Sequence, residues 1–136
     1  AVSPDAQSIQ EGQGQTVLLV EDDPAVRQLV REVLVELRYE VLEAGSGDEA
    51  LPLLSQSRPI DLLVSDVGLP GMNGRQLAEI ARASRPDLPI LFVTGYAETA
   101  AVRGEFLGPN MDMVTKPFAL PILASKISEM LNPIPA

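Results

Sequence analysis

Four short stretches of this chain carry side chains able to do chemistry: the acidic run Glu21-Asp22-Asp23, the isolated Asp66, the hydroxyl of Thr94 and the ammonium of Lys116. Carboxylates gathered at one point repel, by roughly 4 kcal/mol for two charges about 4 Å apart at an effective dielectric of 20. Either one carboxyl then keeps its proton, with a raised pKa, or a cation sits between them. Only oxygen ligands are on offer, which suits a hard ion, and Mg²⁺ held by one or two carboxylates plus water fits best. A metal, a carboxylate nucleophile, an ammonium on a flexible stem and a hydroxyl donor are the parts for moving a phosphoryl group onto a carboxylate. That transfer depends on positioning and on neutralising oxygen charge.

These groups can act together only if the fold converges on them. Thr16 to Val20 is a continuous apolar run, the pattern of a strand buried on both faces. After it, Val26, Leu29, Val30, Val33, Leu34 and Leu37 recur at helical spacing, with Asp23-Pro24 as N-cap and first-turn residue. A second strand is expected from Tyr39 to Ala44. Ser46-Gly47-Asp48-Glu49 has capping-box spacing and opens a second helix. Pro52 inside that helix costs roughly 3 kcal/mol and predicts a kinked, short or loose element. Ile60 to Ser65 reads as the third strand, Gly74 to Ser84 as the third helix capped by Asn73, and Ile90 to Thr94 as the fourth strand. A helix over about 97–107, a strand from Met111 to Thr115 and a last helix from Phe118 to Leu131 complete the series, with Leu120, Leu123, Ile127 and Met130 on one face.

Five β-α units in regular alternation predict an α/β fold, a doubly wound five-stranded parallel sheet with helices on both faces. The leading strand order is 2-1-3-4-5, flavodoxin-like (βα)5, with ligands bound at the carboxyl ends of the strands. Each chemical group above lies at or just beyond the end of the first, third, fourth or fifth strand, and these are neighbours in that order.

Composition removes competing classes. The 136 residues fit one domain, with a linker or tail over 1–15, the domain over 16–132 and a short tail over 133–136. No cysteine and no histidine are present, which excludes disulfides, thiolate or imidazole metal sites, a Ser-His-Asp triad and a phospho-histidine within these residues. A net charge of −9 argues against nucleic acid as a partner. No apolar run reaches the length of a membrane span and no basic-then-apolar leader is seen, so neither membrane contact nor export is expected.

The chain closely resembles the receiver domains of response regulators. The likeness covers essentially 16–131 and rests on four motifs in order: Val-Glu-Asp-Asp-Pro-Ala-Val-Arg (20–27), Ser-Asp-Val-Gly-Leu-Pro-Gly-Met-Asn-Gly (65–74), Val-Thr-Gly (93–95) and Lys-Pro-Phe (116–118). It implies that Asp66 is the phospho-acceptor. Asp22 would ligate Mg²⁺ directly, Glu21 through water and Gly68 through its backbone carbonyl. Thr94 and Lys116 would bond phosphoryl oxygens. It also implies a cis Lys116-Pro117 peptide, a histidine kinase or histidine phosphotransferase as phosphoryl source, and signalling through the face around the fourth helix, fifth strand and last helix.

Three departures stand out. Met113 occupies the family's switch-aromatic position, so coupling must run through a Met rotamer change or another element. Gly68 puts no side chain beside the phosphoryl group, and Tyr96 lies two residues after Thr94, which leaves the lifetime of phospho-Asp66 open. Pro121 is tolerable only within the first turn of its helix.

The wording of the motifs, the first residue Ala1 and the few residues after the last helix favour a receiver excised from the carboxyl end of a hybrid histidine kinase. It would be cytoplasmic, or tethered through a membrane-bound parent, and a homodimer stays open. A stand-alone regulator is the alternative. An aspartyl-phosphate phosphohydrolase is disfavoured because its nucleophile opens an Asp-x-Asp motif after the first strand, and a degenerate binding module because the site is complete. Of the remaining residues, Asp23 and Asn73 are assigned to capping and Arg27 to a solvated helix face.

Overall fold

The computed structural model describes residues 14–56, 58–69, 71–95, 110–116 and 119–131. In chain order these form β1 (Thr16–Val20), α1 (Pro24–Glu36), β2 (Glu40–Ala44), α2 (Gly47–Ser55), β3 (Leu62–Asp66), α3 (Gly74–Ser84), β4 (Ile90–Thr94), β5 (Met111–Thr115) and α4 (Leu120–Leu131). The helix expected over 97–107, Tyr96, the Lys116-Pro117 peptide, Phe118, and segments 1–13 and 132–136 lie outside the described residues.

The five strands form one parallel sheet in the order β2-β1-β3-β4-β5, as the alternation predicts. β1, β3 and β4 are buried along their whole length, which is why they read as unbroken apolar runs, while the edge strands β2 and β5 are partly open. Side chains alternate across the sheet and feed two cores. Leu18, Val20, Leu63, Ile90 and Phe92 pack with Ala50 and Leu54 of α2 and Leu77, Ala78 and Ala81 of α3. On the other face Val17, Leu19, Leu62, Val64, Leu91 and Val93 pack with Val30 and Leu34 of α1 and Leu123 and Ile127 of α4. The sheet is therefore doubly wound.

Caps fall where the sequence places them, with one shift. Asp23 accepts from the Ala25 and Val26 N–H groups, with Pro24 opening α1. Asn73 and Gln76 make a complete capping box on α3. At α2, Ser46 Oγ accepts from the Glu49 N–H, but Glu49 reaches back to the Gly45 N–H rather than to Ser46. Pro52 leaves α2 as a short helix of nine residues, and Pro121 sits at the second position of α4, in its first turn.

Three sequence boundaries or faces are corrected. β3 runs from Leu62 to Asp66 rather than from Ile60 to Ser65. Asp61 turns its carboxylate onto the Thr16 N–H at 2.8 Å and so serves the end of the ladder from outside it. Leu29, expected on the buried stripe of α1, is 42% exposed, because the stripe in contact with the sheet centres on Val30 and Leu34. Tyr39 belongs to the turn before β2 and not to the strand.

That turn ends α1 in a Schellman pattern: the Tyr39 N–H donates to the Leu34 carbonyl at 3.0 Å and the Arg38 N–H to the Val35 carbonyl at 3.0 Å. It puts Arg38 at φ 69°, where a side chain is strained and glycine is not. Arg38→Gly is expected to stabilise the domain by about 0.5–1 kcal/mol, read as a higher urea midpoint at unchanged slope.

Candidate functional site

β1, β3 and β5 end at the same edge of the sheet, and strand alternation sends three of the chemical groups to the same face. Glu21 continues the parity of Val17 and Leu19, Asp66 that of Leu62 and Val64, and Lys116 that of Val114, all members of the core packed on α1 and α4. Glu21 and Asp66 are buried, at 3% and 7% exposure, and Asp22 is exposed. One carboxylate oxygen from each of Glu21, Asp22 and Asp66 can be chosen so that all three lie within 4.8 Å of one another. The expectation that the first strand's acids face Asp66 is met.

Each buried oxygen has a donor. Asp66 Oδ1 accepts from the Gly68 N–H at 3.0 Å, and Oδ2 from Lys116 Nζ at 3.0 Å. The same ammonium lies 3.2 Å from Glu21 Oε2, while Glu21 Oε1 accepts from the Asp23 N–H at 3.1 Å. Lys116 is thus a bridge between the two buried carboxylates. Its own N–H donates to the Thr94 carbonyl at 2.7 Å, which ties the end of β4 to the residue after β5. Thr94 is fully buried at that end, one strand over from Asp66, which pairs with Val93. Gly68 lies two residues beyond the aspartate, held to it through its amide.

Carboxylate repulsion is offset here by a raised Glu21 pKa and by the Lys116 ammonium between the two buried acids. Burial, reinforced by the charge on Asp66, pushes the Glu21 carboxyl up from 4.5 to about 7, against the opposing pull of the Asp23 N–H and Lys116. Burial works against the charge on Lys116, yet its bonds to Asp66 and Glu21 prevail and hold its pKa above the ordinary lysine value. The donor set is all oxygen, compact and partly solvent-facing, which fits a hard divalent cation that keeps some of its water.

The Glu21 shift has a stability consequence. As pH rises from 4.5 to about 7, the unfolded chain has already released this proton while the folded domain still holds it, so folding stability must fall across that window. Urea midpoints in the presence of a chelator are expected to decline from pH 5 to pH 7 and then level off. Glu21→Gln should flatten the slope; an unchanged slope in that variant would assign it to other groups.

Three residues matter more than the sequence revealed. Arg27, expected on a solvated face, is only 26% exposed and donates from Nη1 to the Glu21 carbonyl at 2.8 Å, with Nε 3.7 Å from Glu43 Oε1. Ser65 is fully buried and donates to the Asp66 carbonyl at 3.0 Å. Gly74 opens α3 against the backbone that carries Asp66: its N–H donates to the Val67 carbonyl at 3.0 Å, and a Cβ there would run into the Asp66 carbonyl. Arg27 and Gly74 fall inside motifs 20–27 and 65–74, but no local pattern announces such tertiary contacts. Met113 is half-buried and packs against the core that holds its ladder partner Phe92.

Comparison with known proteins agrees with this geometry. A family model described as the response regulator receiver domain matches residues 17–128. The sensor kinase CckA of Brucella abortus is 42% identical over 118 residues, covering 86% of this chain and 12% of that protein. The response regulator receiver protein CpdR of the same organism is 35% identical over 115 residues, covering 85% of this chain and 95% of its own length. Among solved structures, a response regulator receiver protein from Sinorhizobium medicae superposes with a TM-score of 0.81 at 26% identity, over 89% of this chain and 97% of that one. This chain is a receiver domain of two-component signalling and belongs to the response regulator receiver domain family.

Proposed function

We propose that this domain accepts a phosphoryl group on Asp66 from a phospho-histidine and passes on the change as a conformational signal. Receiver domains take phosphoryl groups from histidine kinases or phosphotransfer proteins and generally bind Mg²⁺ at an acidic pocket. The observation that carries the reading here is the meeting of Glu21, Asp22 and Asp66 carboxylates within 4.8 Å, with Lys116 bonded to Asp66.

Asp22 and Asp66 would hold Mg²⁺ directly, with the Gly68 carbonyl as a further ligand. Glu21, which lies with Asp22 and Asp66 in the same acid cluster, would act through water. When bound, the ion neutralises charge on the incoming phosphoryl oxygens. Lys116 presents a second positive charge to those oxygens, and Thr94 supplies a hydroxyl donor at the neighbouring strand end. Asp66 is the nucleophile, because it is the carboxylate at the centre of this arrangement. The new phosphoryl oxygens are strong acceptors, and a shift of Thr94 to meet them would bias the face formed by β5 and α4. Met113, beside Phe92, would follow by a rotamer change.

The chain spans about an eighth of the sensor kinase relative and nearly all of CpdR. The identity of 42% to the kinase supports a hybrid histidine kinase as the parent, with a stand-alone regulator as the second reading. Among the described residues no helix is long and apolar enough to cross a membrane. Incubation with a small phosphodonor, followed by intact mass, tests the central claim. One phosphoryl group should be added with Mg²⁺ and none in chelator, whereas labelling that ignores Mg²⁺ would sink it.

A further inference from the structure

We propose that Arg27 is a positioning residue for the acid pair at the end of β1: it holds the Glu21-Asp22 peptide so that the Asp22 carboxylate is delivered to the cation site. The inference rests on the metal-binding reading above.

Asp22 is exposed, and among the described residues its carboxylate has no hydrogen-bond partner, so the fold fixes only the point from which it projects, through the backbone that carries it. The regular ladders of β1 stop at Val20, which pairs with Ala44 on one side and Ser65 on the other. Beyond that point strand partners can no longer fix the peptide planes by themselves. The Glu21 N–H still reaches the Ala44 carbonyl at 3.1 Å, and the Glu21 carbonyl, which belongs to the same peptide plane as the Asp22 N–H, is taken by Arg27 Nη1 at 2.8 Å. A charged donor on a carbonyl makes a stronger bond than a neutral one. It acts here on the peptide group that leads directly into the Asp22 Cα.

The guanidinium is itself aimed from several sides. Its Nε lies 3.7 Å from Glu43 Oε1 on β2, and Glu43 is also held by Arg31 Nε at 3.2 Å. Gly45 contributes by what it lacks: a Cβ there would lie 3.2 Å from Arg27 Nη1 and 3.3 Å from Glu49 Oε2. The bare Cα leaves room for the guanidinium to seat over the turn after β2. The helix supplies the short leash, since the Arg27 N–H donates to the Asp23 carbonyl at 2.9 Å. Arg27 therefore closes a loop from α1 back to the residue that begins the acid pair. Lysine lacks the rigid fork by which two separate nitrogens of Arg27 meet the Glu21 carbonyl and Glu43.

Mg²⁺ titration of the unphosphorylated domain by calorimetry tests the proposal, with the Glu21 carbonyl ¹³C shift in metal-free protein as an independent readout. Arg27→Gln is expected to weaken Mg²⁺ binding roughly tenfold, the scale on which outer-shell partners act, and to move the Glu21 carbonyl shift upfield as its bond is lost. Arg27→Lys should fall between that variant and wild type. Arg31→Gln, which removes one of the two arginines on Glu43 but leaves the Glu21 carbonyl bonded, should bind as wild type does. Wild-type affinity in Arg27→Gln, or an equal loss in Arg31→Gln, overturns the proposal. If Arg27→Gln does not fold, Arg27→Lys decides, and wild-type affinity there overturns it too. Absence of Mg²⁺ binding by the wild type would instead remove the functional reading, while an unmoved carbonyl shift in a folded variant would show that Arg27 does not hold the peptide.

Discussion

Asp66→Asn is expected to abolish phosphoryl labelling while leaving the domain folded. The substitution keeps the shape of the side chain but removes the carboxylate, and an amide oxygen is no nucleophile for phosphoryl transfer. Structure should be preserved because the backbone around position 66 is held by groups the change does not touch: the ladder to Val93 and the Ser65 hydroxyl on the residue's carbonyl. Lys116 keeps Glu21 as a partner at 3.2 Å. Removing the Asp66 charge also removes one of the forces that raise the Glu21 carboxyl, so the pH dependence of stability should weaken. Intact mass after exposure to a phosphodonor and Mg²⁺, with circular dichroism as the control for folding, gives the answer. Persistence of a full phosphoryl increment in the folded variant would place the acceptor elsewhere.

Gly74→Ala is expected to be the most damaging single methyl group in the described part of the domain. α3 begins so close to the end of β3 that the added Cβ would meet the Asp66 carbonyl and come within 2.9 Å of Val67 Cα. These are backbone atoms of a buried strand end and cannot swing aside as a long side chain can. Overpacking of this kind costs about 1–3 kcal/mol, and more where the backbone must move. Any gain from alanine's helix preference, about 1 kcal/mol, is small beside a backbone collision. Because the displaced segment carries Asp66, labelling should slow together with the fall in stability. Gly71→Ala is the informative contrast: Gly71 has φ 74° but nothing within 4 Å of its missing Cβ, so only the left-handed backbone penalty of about 1–2 kcal/mol applies. Urea denaturation of the two variants separates steric collision from conformational strain. A smaller loss at position 74 than at 71 would show that α3 can back away from the strand.

Much of this domain is written locally. Five strand-like stretches alternating with amphipathic ones are enough to predict a parallel sheet wound on both faces, and the apolar runs of β1, β3 and β4 mark the strands buried on both sides. Asp23 before Pro24 and Asn73 before Gly74 announce helix starts through short-range hydrogen bonds, and the structure shows those bonds. Glu21, Asp22, Asp66 and Lys116 could be singled out because each sits at or just beyond a strand terminus, and a parallel sheet gathers such termini on one edge. The errors are equally instructive. The stripe that took in Leu29 is broad enough to include a residue that the docking angle of α1 leaves in solvent. Ile60 looked like strand because it is apolar, yet it is buried before the ladder starts.

Sequence by itself determined the fold class, the strand order and the residues that meet at the acid cluster, since hydrophobic period and strand-end placement are properties of neighbouring residues. Tertiary structure alone decided that Lys116 joins two carboxylates, that Glu21 is buried deeply enough to hold its proton near neutrality, that Arg27 turns inward to a carbonyl, and that Gly74 must lack a side chain. Each of these depends on distances between segments far apart in the chain or on the path of the backbone through a turn. Those distances are set by how helices dock on the sheet, which no local pattern of residues encodes.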